Sequence, residues 1–467
     1  MRDKKTMSSK TERSSRSQRR TILIFSVVVL LIKIIWLSSQ QGKELLGSDG
    51  ENYLNALDGL LKDGFFSNHN LLAYWPAGYP ILMWPLAELS VRNLGFIVGI
   101  LQSSIFAISI TFFAFELSKS SLKRYTWPAV ILLTLSPTFT LNSVVIGYEV
   151  ISSVLLLIAT TLYLRLVRIE KKSILSWESS LAACTISISC FMQPRIMLLG
   201  LGILIPFAFY HYRGRAIALF LALSMLIVAI APAILIFRNT QAQGFAAIST
   251  NLGVTMNIGA GPNATGGYTN QVSGVPCESI EGDLAKQDSH RVGCVVKWYL
   301  KNPSSSVKLF ANKFFFHWSP WFGPLANGTM GRNPWFKFHP FAEMIKTQEG
   351  FEMASGIVGK ALSGVWVLGS LTLLGCGFIA LRRRGGVSTL LAWILLTPVI
   401  LNTASSMATI GDHRFRIPTL SLSLLLQLFG GYALLGANSF RRGIDGPVRL
   451  ARGINWKGRG QGDKLLP

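Results

Sequence analysis

The chain has 467 residues, half of them hydrophobic and only 14% charged, with a formal net charge of +23. A soluble domain carries about a quarter charged residues, and the apolar residues here fall in long blocks of the kind that cross a bilayer. A soluble globular protein is therefore excluded. So is a nucleic-acid partner, because the basic excess is broken into short runs between apolar blocks, the positive-inside pattern of a polytopic membrane protein.

The first twenty residues hold Arg2, Lys4, Lys5, Lys10, Arg13, Arg16, Arg19 and Arg20 and read as a disordered cytoplasmic tail. The apolar segment that follows, Thr21 to Leu37, is longer than a signal-peptide core and ends in a poor cleavage site, so it reads as an uncleaved anchor. Further apolar segments predict an all-α membrane protein with about ten spans, at 21–38, 93–117, 127–145, 150–168, 177–193, 196–210, 216–236, 356–381, 387–405 and 417–438. With the N-terminus inside, every cytoplasmic connection is a basic cluster. These are Lys119/Lys123/Arg124, Arg165/Arg168/Lys171/Lys172, Arg213/Arg215, Arg382/Arg383/Arg384 and the tail from Arg441. Both termini are then cytoplasmic, and the chain is placed in a cell (inner or plasma) membrane.

The run Tyr79 to Leu89 is too short to cross, since about 20 residues are needed. It is placed, as an interfacial helix over 79–91, in an outer loop 39–92 that also holds an amphipathic helix, Asn52 to Leu61. Tyr74, Trp75, Tyr79 and Trp84 suit an aromatic belt there. The resulting organisation is a basic tail (1–20), an N-terminal membrane module (21–236), a large outer loop (237–355), C-terminal membrane helices (356–438) and a second basic tail (439–467). The large loop contains a helical stretch, Ser279 to Leu300, and an aromatic-basic segment from Lys313 to Phe322.

Cys184, Cys190 and Cys376 lie in spans and read as buried, inert thiols, whereas Cys277 and Cys294 share the large loop, where an oxidising compartment permits a disulfide. Their spacing is not that of a zinc site. Asn263-Ala-Thr265 and Asn327-Gly-Thr329 match the N-glycosylation pattern.

Acid is scarce, which draws attention to Ser48-Asp49-Gly50-Glu51-Asn52-Tyr53 just beyond the first span. Asp49 has two readings: a general base at a lipid surface, or the cap of the helix that follows. Glu149, in a short turn on the same side, either joins Asp49 or simply opens its helix. Arg195, Arg238, Arg414 and Arg416 sit at outer span ends, where a guanidinium either holds lipid phosphate or snorkels to headgroups. The dense Gly411-Asp-His-Arg-Phe-Arg-Ile-Pro418 segment favours function for Arg414 and Arg416, with His413 a local hydrogen-bonding partner. Lys33, within the first span, lies in snorkelling reach of the outer face. His317 and Trp318 suit interfacial burial or a sugar-stacking surface.

Three stretches carry a resemblance: Asp49, Tyr53, Gly64 and Pro76-Ala-Gly-Tyr-Pro80; Arg238-Asn239 through Ile248-Ser-Thr-Asn-Leu-Gly253 to Asn263 and Gly266-Gly-Tyr268; and Arg414-Phe-Arg-Ile-Pro418. In this order they resemble the GT-C fold integral-membrane glycosyltransferases, in particular bacterial relatives of protein O-mannosyltransferases and lipid A aminoarabinose transferases (glycosyltransferase family 39-like). The resemblance implies a polyprenyl-phosphate sugar donor and an inverting transfer to a lipid, glycan or protein acceptor on the outer face. It implies Asp49 as catalytic base, with Tyr53 shaping the pocket. Arg238, Arg414 and Arg416, with Glu51 and Glu149 nearby, become candidate substrate- or phosphate-binding residues. One departure stands out: several relatives place a second acid directly after the catalytic Asp, and here Gly50 intervenes before Glu51. No cofactor or metal is predicted. The competing reading is a transporter or lipid flippase, which the near absence of charge in mid-span disfavours.

Overall fold

The computed structural model describes residues 2–39, 46, 49–170, 173–267, 274–278, 280 to 320 and 357–440. Ser48, Lys171, Lys172, Tyr268, Ser279, Trp321, Phe322, the Asn327–Thr329 sequon and the tail from Arg441 lie outside them. Among the described residues the chain is helical, with no strand. Seven helical segments are long and apolar enough to cross a membrane: Ser17–Ser39, Leu94–Ser118, Tyr148–Arg168, Arg215–Gln243, Ile357–Arg383, Gly386–Ala408 and His413–Gly436. It is an all-α, multi-pass membrane protein.

Helix α1 (Arg2–Ser39) begins well before the first span. Its basic start is helical rather than disordered. Lys, Arg and Glu propagate a helix well, and the segment contains neither glycine nor proline. The segment between α1 and the next span holds α2 (Gly50–Asp63), α3 (Leu71–Tyr74) and α4 (Gly78–Leu89). α2 buries Tyr53, Ala56, Leu57 and Leu60 and exposes Glu51, Asn55 and Asp58, the amphipathic division its spacing predicts. After α5 (Leu94–Ser118), the predicted third span is two pieces, α6 (Thr126–Leu135) and α7 (Pro137–Asn142). Pro137 forces the break, because the residue before a proline is pushed out of the helical region, and Ser136 sits at ψ 113°. α8 (Tyr148–Arg168) is the most buried of the candidate spans. α9 (Trp177–Met192) and α10 (Ile196–His211) follow, each 16 residues long, and then α11 (Arg215–Gln243), which runs past the predicted end of its span. All ten predicted spans thus coincide with helices, seven of full spanning length.

The large loop contributes α12 (Leu252–Ile258), α13 (Leu284–Lys301) and α14 (Pro303–Trp318). Cys277 and Cys294 are bonded to each other, closing the loop onto α13. His290 Nε2 lies 3.7 Å from Cys294 Sγ. The last helices are α15 (Ile357–Arg383), α16 (Gly386–Ala408) and α17 (Leu420–Phe440), with a 3-10 segment, His413–Thr419, between the latter two. α15 and α17 touch at Gly377 and Gly430, where an added Cβ would lie 1.9 Å from a carbonyl oxygen of the other helix.

Two sequence expectations change in this frame. Lys33 does not snorkel: its ammonium is buried, donates to Ser143 Oγ at 2.5 Å and Thr140 O at 3.3 Å, and lies over the Phe106 ring. Tyr79 is no belt residue either, since its hydroxyl accepts from Gly147 N at 2.9 Å and it packs edge-on against Tyr53. Cys190 is buried as expected, while Cys184 is exposed on the outside of α9.

Candidate functional site

The site lies where α2, α8 and the 413–419 segment meet. Its foundation is one backbone bridge. Leu46 pairs in parallel with Ile146, and Asp49 and Glu149 each stand three residues further on. The equal offset in a parallel pairing brings the two acids side by side from distant parts of the chain. Tyr79 and Gln102 hold the second strand of this bridge, with Gln102 Nε2 donating to Val145 O at 2.7 Å.

Gly50 gains its reason here. A Cβ on it would lie 3.0 Å from Ile146 O and 3.0 Å from Leu46 Cβ, so a larger residue after Asp49 would press against the bridge. The second acid of the site is Glu149, from another helix. Glu51 does not join it, because its side chain is on the exposed side of α2.

Both acids meet Arg414. Its Nη1 is 3.0 Å from Asp49 Oδ2, and its Nε is 3.7 Å from Glu149 Oε1. All three side chains are largely buried. Asp49 occupies the cap position of α2, yet its side chain makes no capping hydrogen bond. Its carboxylate is engaged by Arg414 instead of the α2 backbone. Glu149 satisfies both of its readings, standing in the first turn of α8 and facing Arg414.

Tyr53 and Tyr148 form an aromatic wall, with ring centroids 6.3 Å apart. Burial first, and then the neighbouring Asp49, hold the Tyr53 phenol well above its ordinary range, so it remains a neutral hydroxyl. Asp412 accepts from the Arg414 backbone N–H at 2.9 Å and lies 3.4 Å from His413 Nδ1, fixing the start of the 413–419 segment.

A second set of side chains adjoins this one. Arg195, one residue before α10, donates through Nη2 to Tyr148 Oη at 3.4 Å and stacks over Phe415 at 4.2 Å. Arg416 donates through Nη1 to Trp318 O at 3.0 Å and lies over the Trp318 ring. His317 is fully buried, and neither of its ring nitrogens has a hydrogen-bond partner among the described residues. Arg195 Nε and Trp318 Nε1 are buried and unpartnered as well. Each buried polar group left so costs about 1–3 kcal/mol.

Arg238 belongs to neither set, and its expected phosphate role finds no support in its geometry. The side chain is fully buried and its guanidinium is spent on Phe65 O at 3.2 Å, Leu72 O at 3.2 Å, Ser67 O and Asn239 Oδ1 at 2.7 Å. Asn239 in turn donates to Ala247 O at 2.7 Å and Ile248 O at 3.2 Å. The pair staples the segment around 65–72 to the one around 247–248.

The sequence reading missed Tyr148, Asp412 and Lys313. Lys313 is fully buried on α14, donates to Tyr299 Oη at 2.7 Å, and is brought down to about 7 by burial. A lysine in an aromatic loop segment reads as solvated, and nothing local signals otherwise.

No known protein family and no curated protein matches the sequence. Solved structures give distant likenesses, among them the following two. One is the oligosaccharyltransferase of Archaeoglobus fulgidus in its apo form, at TM-score 0.47 and 11% identity, covering 91% of this chain and 51% of the other. The second is the archaeal oligosaccharyltransferase AglB from Archaeoglobus fulgidus in complex with an inhibitory peptide and a dolichol-phosphate, at TM-score 0.45 and 11% identity, covering 91% and 53%. The chain spans about half the length of these proteins. A likeness this distant identifies neither activity nor substrate.

Proposed function

We propose that the chain is a GT-C type membrane glycosyltransferase that moves a sugar from a polyprenyl-phosphate donor to an acceptor hydroxyl or amine at the outer face of a cell membrane. The observation that supports it best is the buried Asp49 carboxylate, held by Arg414 beside the Tyr53 and Tyr148 rings. Charge gathered at one end of the bundle suits surface chemistry better than transport through it.

In this reading the ion pair engages Asp49 Oδ2, and the other carboxylate oxygen takes the acceptor's proton. The acceptor oxygen or nitrogen attacks the anomeric carbon from the face opposite the phosphate. The carbon–oxygen bond to phosphate breaks, the electron pair leaves with the lipid phosphate, and the configuration inverts. Nearby guanidinium groups offset the charge developing on the leaving phosphate. Glu149 shares Arg414 with Asp49 and keeps that side chain from turning away. The chemistry needs no metal. The acceptor is a lipid, a glycan or a protein.

The test is reconstitution of the wild-type chain and Asp49→Asn in liposomes with labelled polyprenyl-phosphate sugars. The expected result is donor consumption by the wild type and a loss of at least about a hundredfold in the variant. No consumption of any donor by the wild type sinks the enzyme reading. Equal turnover by the variant removes Asp49 from the chemistry.

A further inference from the structure

We infer that Arg195, Arg416, His317 and Trp318 form the subsite for the phosphate of a lipid-phosphate ligand, and that its hydrocarbon chain enters along a groove between α10 and α16. The inference rests on the transferase reading and deepens it by placing the donor.

Charge partition comes first. Arg414 already faces two carboxylates, so an incoming phosphate there would meet Asp49 and Glu149 as well. Arg195 and Arg416 form no ion pair among the described residues; their contacts are a phenol, a carbonyl and aromatic faces. Arg416 is buried and Arg195 half-buried, and a guanidinium so placed, with no carboxylate beside it, has its charge to offer an anion.

Unmet hydrogen-bonding capacity is the second observation. Arg195 Nε, both His317 nitrogens and Trp318 Nε1 are buried and have no hydrogen-bond partner among the described residues, in one neighbourhood joined through the Arg416–Trp318 contact. A phosphate offers several acceptor oxygens and would satisfy such a set together. Burial, then Arg416, Arg195 and His413, hold the His317 imidazole well below its ordinary range, so it is neutral while the subsite is empty. His413 is itself countered by Asp412. A phosphate anion between the two arginines offsets their field and favours the imidazolium, so binding takes up a proton.

The third observation is shape. A groove of about 560 Å³ runs between α10 and α16, lined by Gly202, Ile205, Phe209, Trp393, Thr397 and Leu401. Both walls lead from the cations. Arg195 immediately precedes α10, and Leu401 adjoins Asn402, whose amide donates to Phe415 O at 2.7 Å. From Arg195 to Gly202 the helical rise is about 10 Å, a span an alkyl chain follows readily. An amphiphile with an anionic head and a long apolar tail fits both ends.

The experiment measures equilibrium binding to the full-length protein in nanodiscs. The probes are a long-chain polyprenyl phosphate, the matching polyprenol and inorganic phosphate. The expected order is lipid phosphate tightest, with polyprenol and inorganic phosphate each weaker by tenfold or more. Arg416→Gln and His317→Ala should weaken the lipid phosphate at least tenfold, with the exposed Lys308→Gln unchanged. Wild-type affinity should fall as pH rises, and His317→Gln, which retains a donor, should recover part of the affinity without the pH dependence. Leu401→Trp should weaken the lipid phosphate and leave inorganic phosphate alone. Size-exclusion profiles and far-ultraviolet spectra establish that each variant is folded.

Unchanged affinity in folded Arg416→Gln and His317→Ala, with Asp49→Asn inactive, overturns the subsite and leaves the transferase standing. Tight lipid-phosphate binding that these variants abolish, in a chain that consumes no sugar donor, keeps the subsite and removes the transferase. Equal affinity for inorganic and lipid phosphate, or no effect of Leu401→Trp, overturns the groove as the tail's path.

Discussion

Two fully or largely buried arginines, Arg238 and Arg414, sit near the ends of spans and read alike in sequence, yet the structure uses them oppositely. Arg238 gives its N–H groups to three backbone carbonyls and a neighbouring amide, with no carboxylate in its set of partners. Arg414 meets two carboxylates, in a place where adjoining donors are left unmet. A guanidinium saturated by main-chain acceptors fixes the shape of loops. One that aims acids into an incompletely bonded pocket serves chemistry. The identity of the partners, rather than burial, separates the two.

That contrast breaks most sharply at Arg238. Arg238→Met strands three buried carbonyls, each worth about 1–3 kcal/mol, so the expected loss is at least about 4 kcal/mol and very little folded protein. Yield and thermal unfolding in detergent measure it. A folded but inactive Arg238→Met would erase the contrast and return Arg238 to the substrate.

The converse variant, Arg414→Lys, keeps a charge but loses the fork that spans Asp49 and Glu149. The expectation is a fold near wild type and turnover down about a hundredfold, close to 2.7 kcal/mol of transition-state stabilisation. Donor consumption in liposomes reads it, and a collapse of the fold instead would make Arg414 a second staple.

Lys313 sharpens the comparison through pH. Its folded value of about 7 is below that of an unfolded lysine, so between these values the unfolded chain binds more protons and stability rises with pH. Below about 7 the buried amine is charged in both states and the penalty is complete. Hydrogen-exchange protection of α13 and α14 should therefore grow between pH 7 and 9 by about 2 kcal/mol, and this growth should vanish in Lys313→Met. A flat wild-type profile would show that Tyr299 and the ring faces hold the ammonium charged after all.

The smallest effect belongs to Glu51→Gln. The side chain is exposed and outside the clamp, so turnover should stay within about twofold. A large loss would reinstate the acid pair on α2 that Gly50 argues against.

Much of the frame was legible in advance. Basic runs between apolar blocks gave the order of the helices, and the spacing of Tyr53, Ala56, Leu57 and Leu60 gave the buried face of α2. Asp49 stood out because acid is scarce. What escaped was pairwise and distant. A single Leu46–Ile146 bridge has no strand-length pattern to announce it, so the meeting of Asp49 with Glu149 had no local signal. Arg238 looked like Arg414 because main-chain carbonyls carry no letter in a sequence. The break at Pro137 was readable and was overlooked, since hydropathy alone runs straight through it.

The Leu46–Ile146 bridge also bears on how the protein matures. Its two segments are made at different times, and Asp49 and Glu149 are neighbours only after α8 has been delivered and the segment following α1 has folded onto it. The pocket is among the last things to exist during biogenesis. A chain with one helix misinserted would keep most of its helical content and have no pocket at all. Activity would then report on correct insertion, and a one-residue deletion between Leu46 and Asp49 would mimic such a chain without disturbing any span.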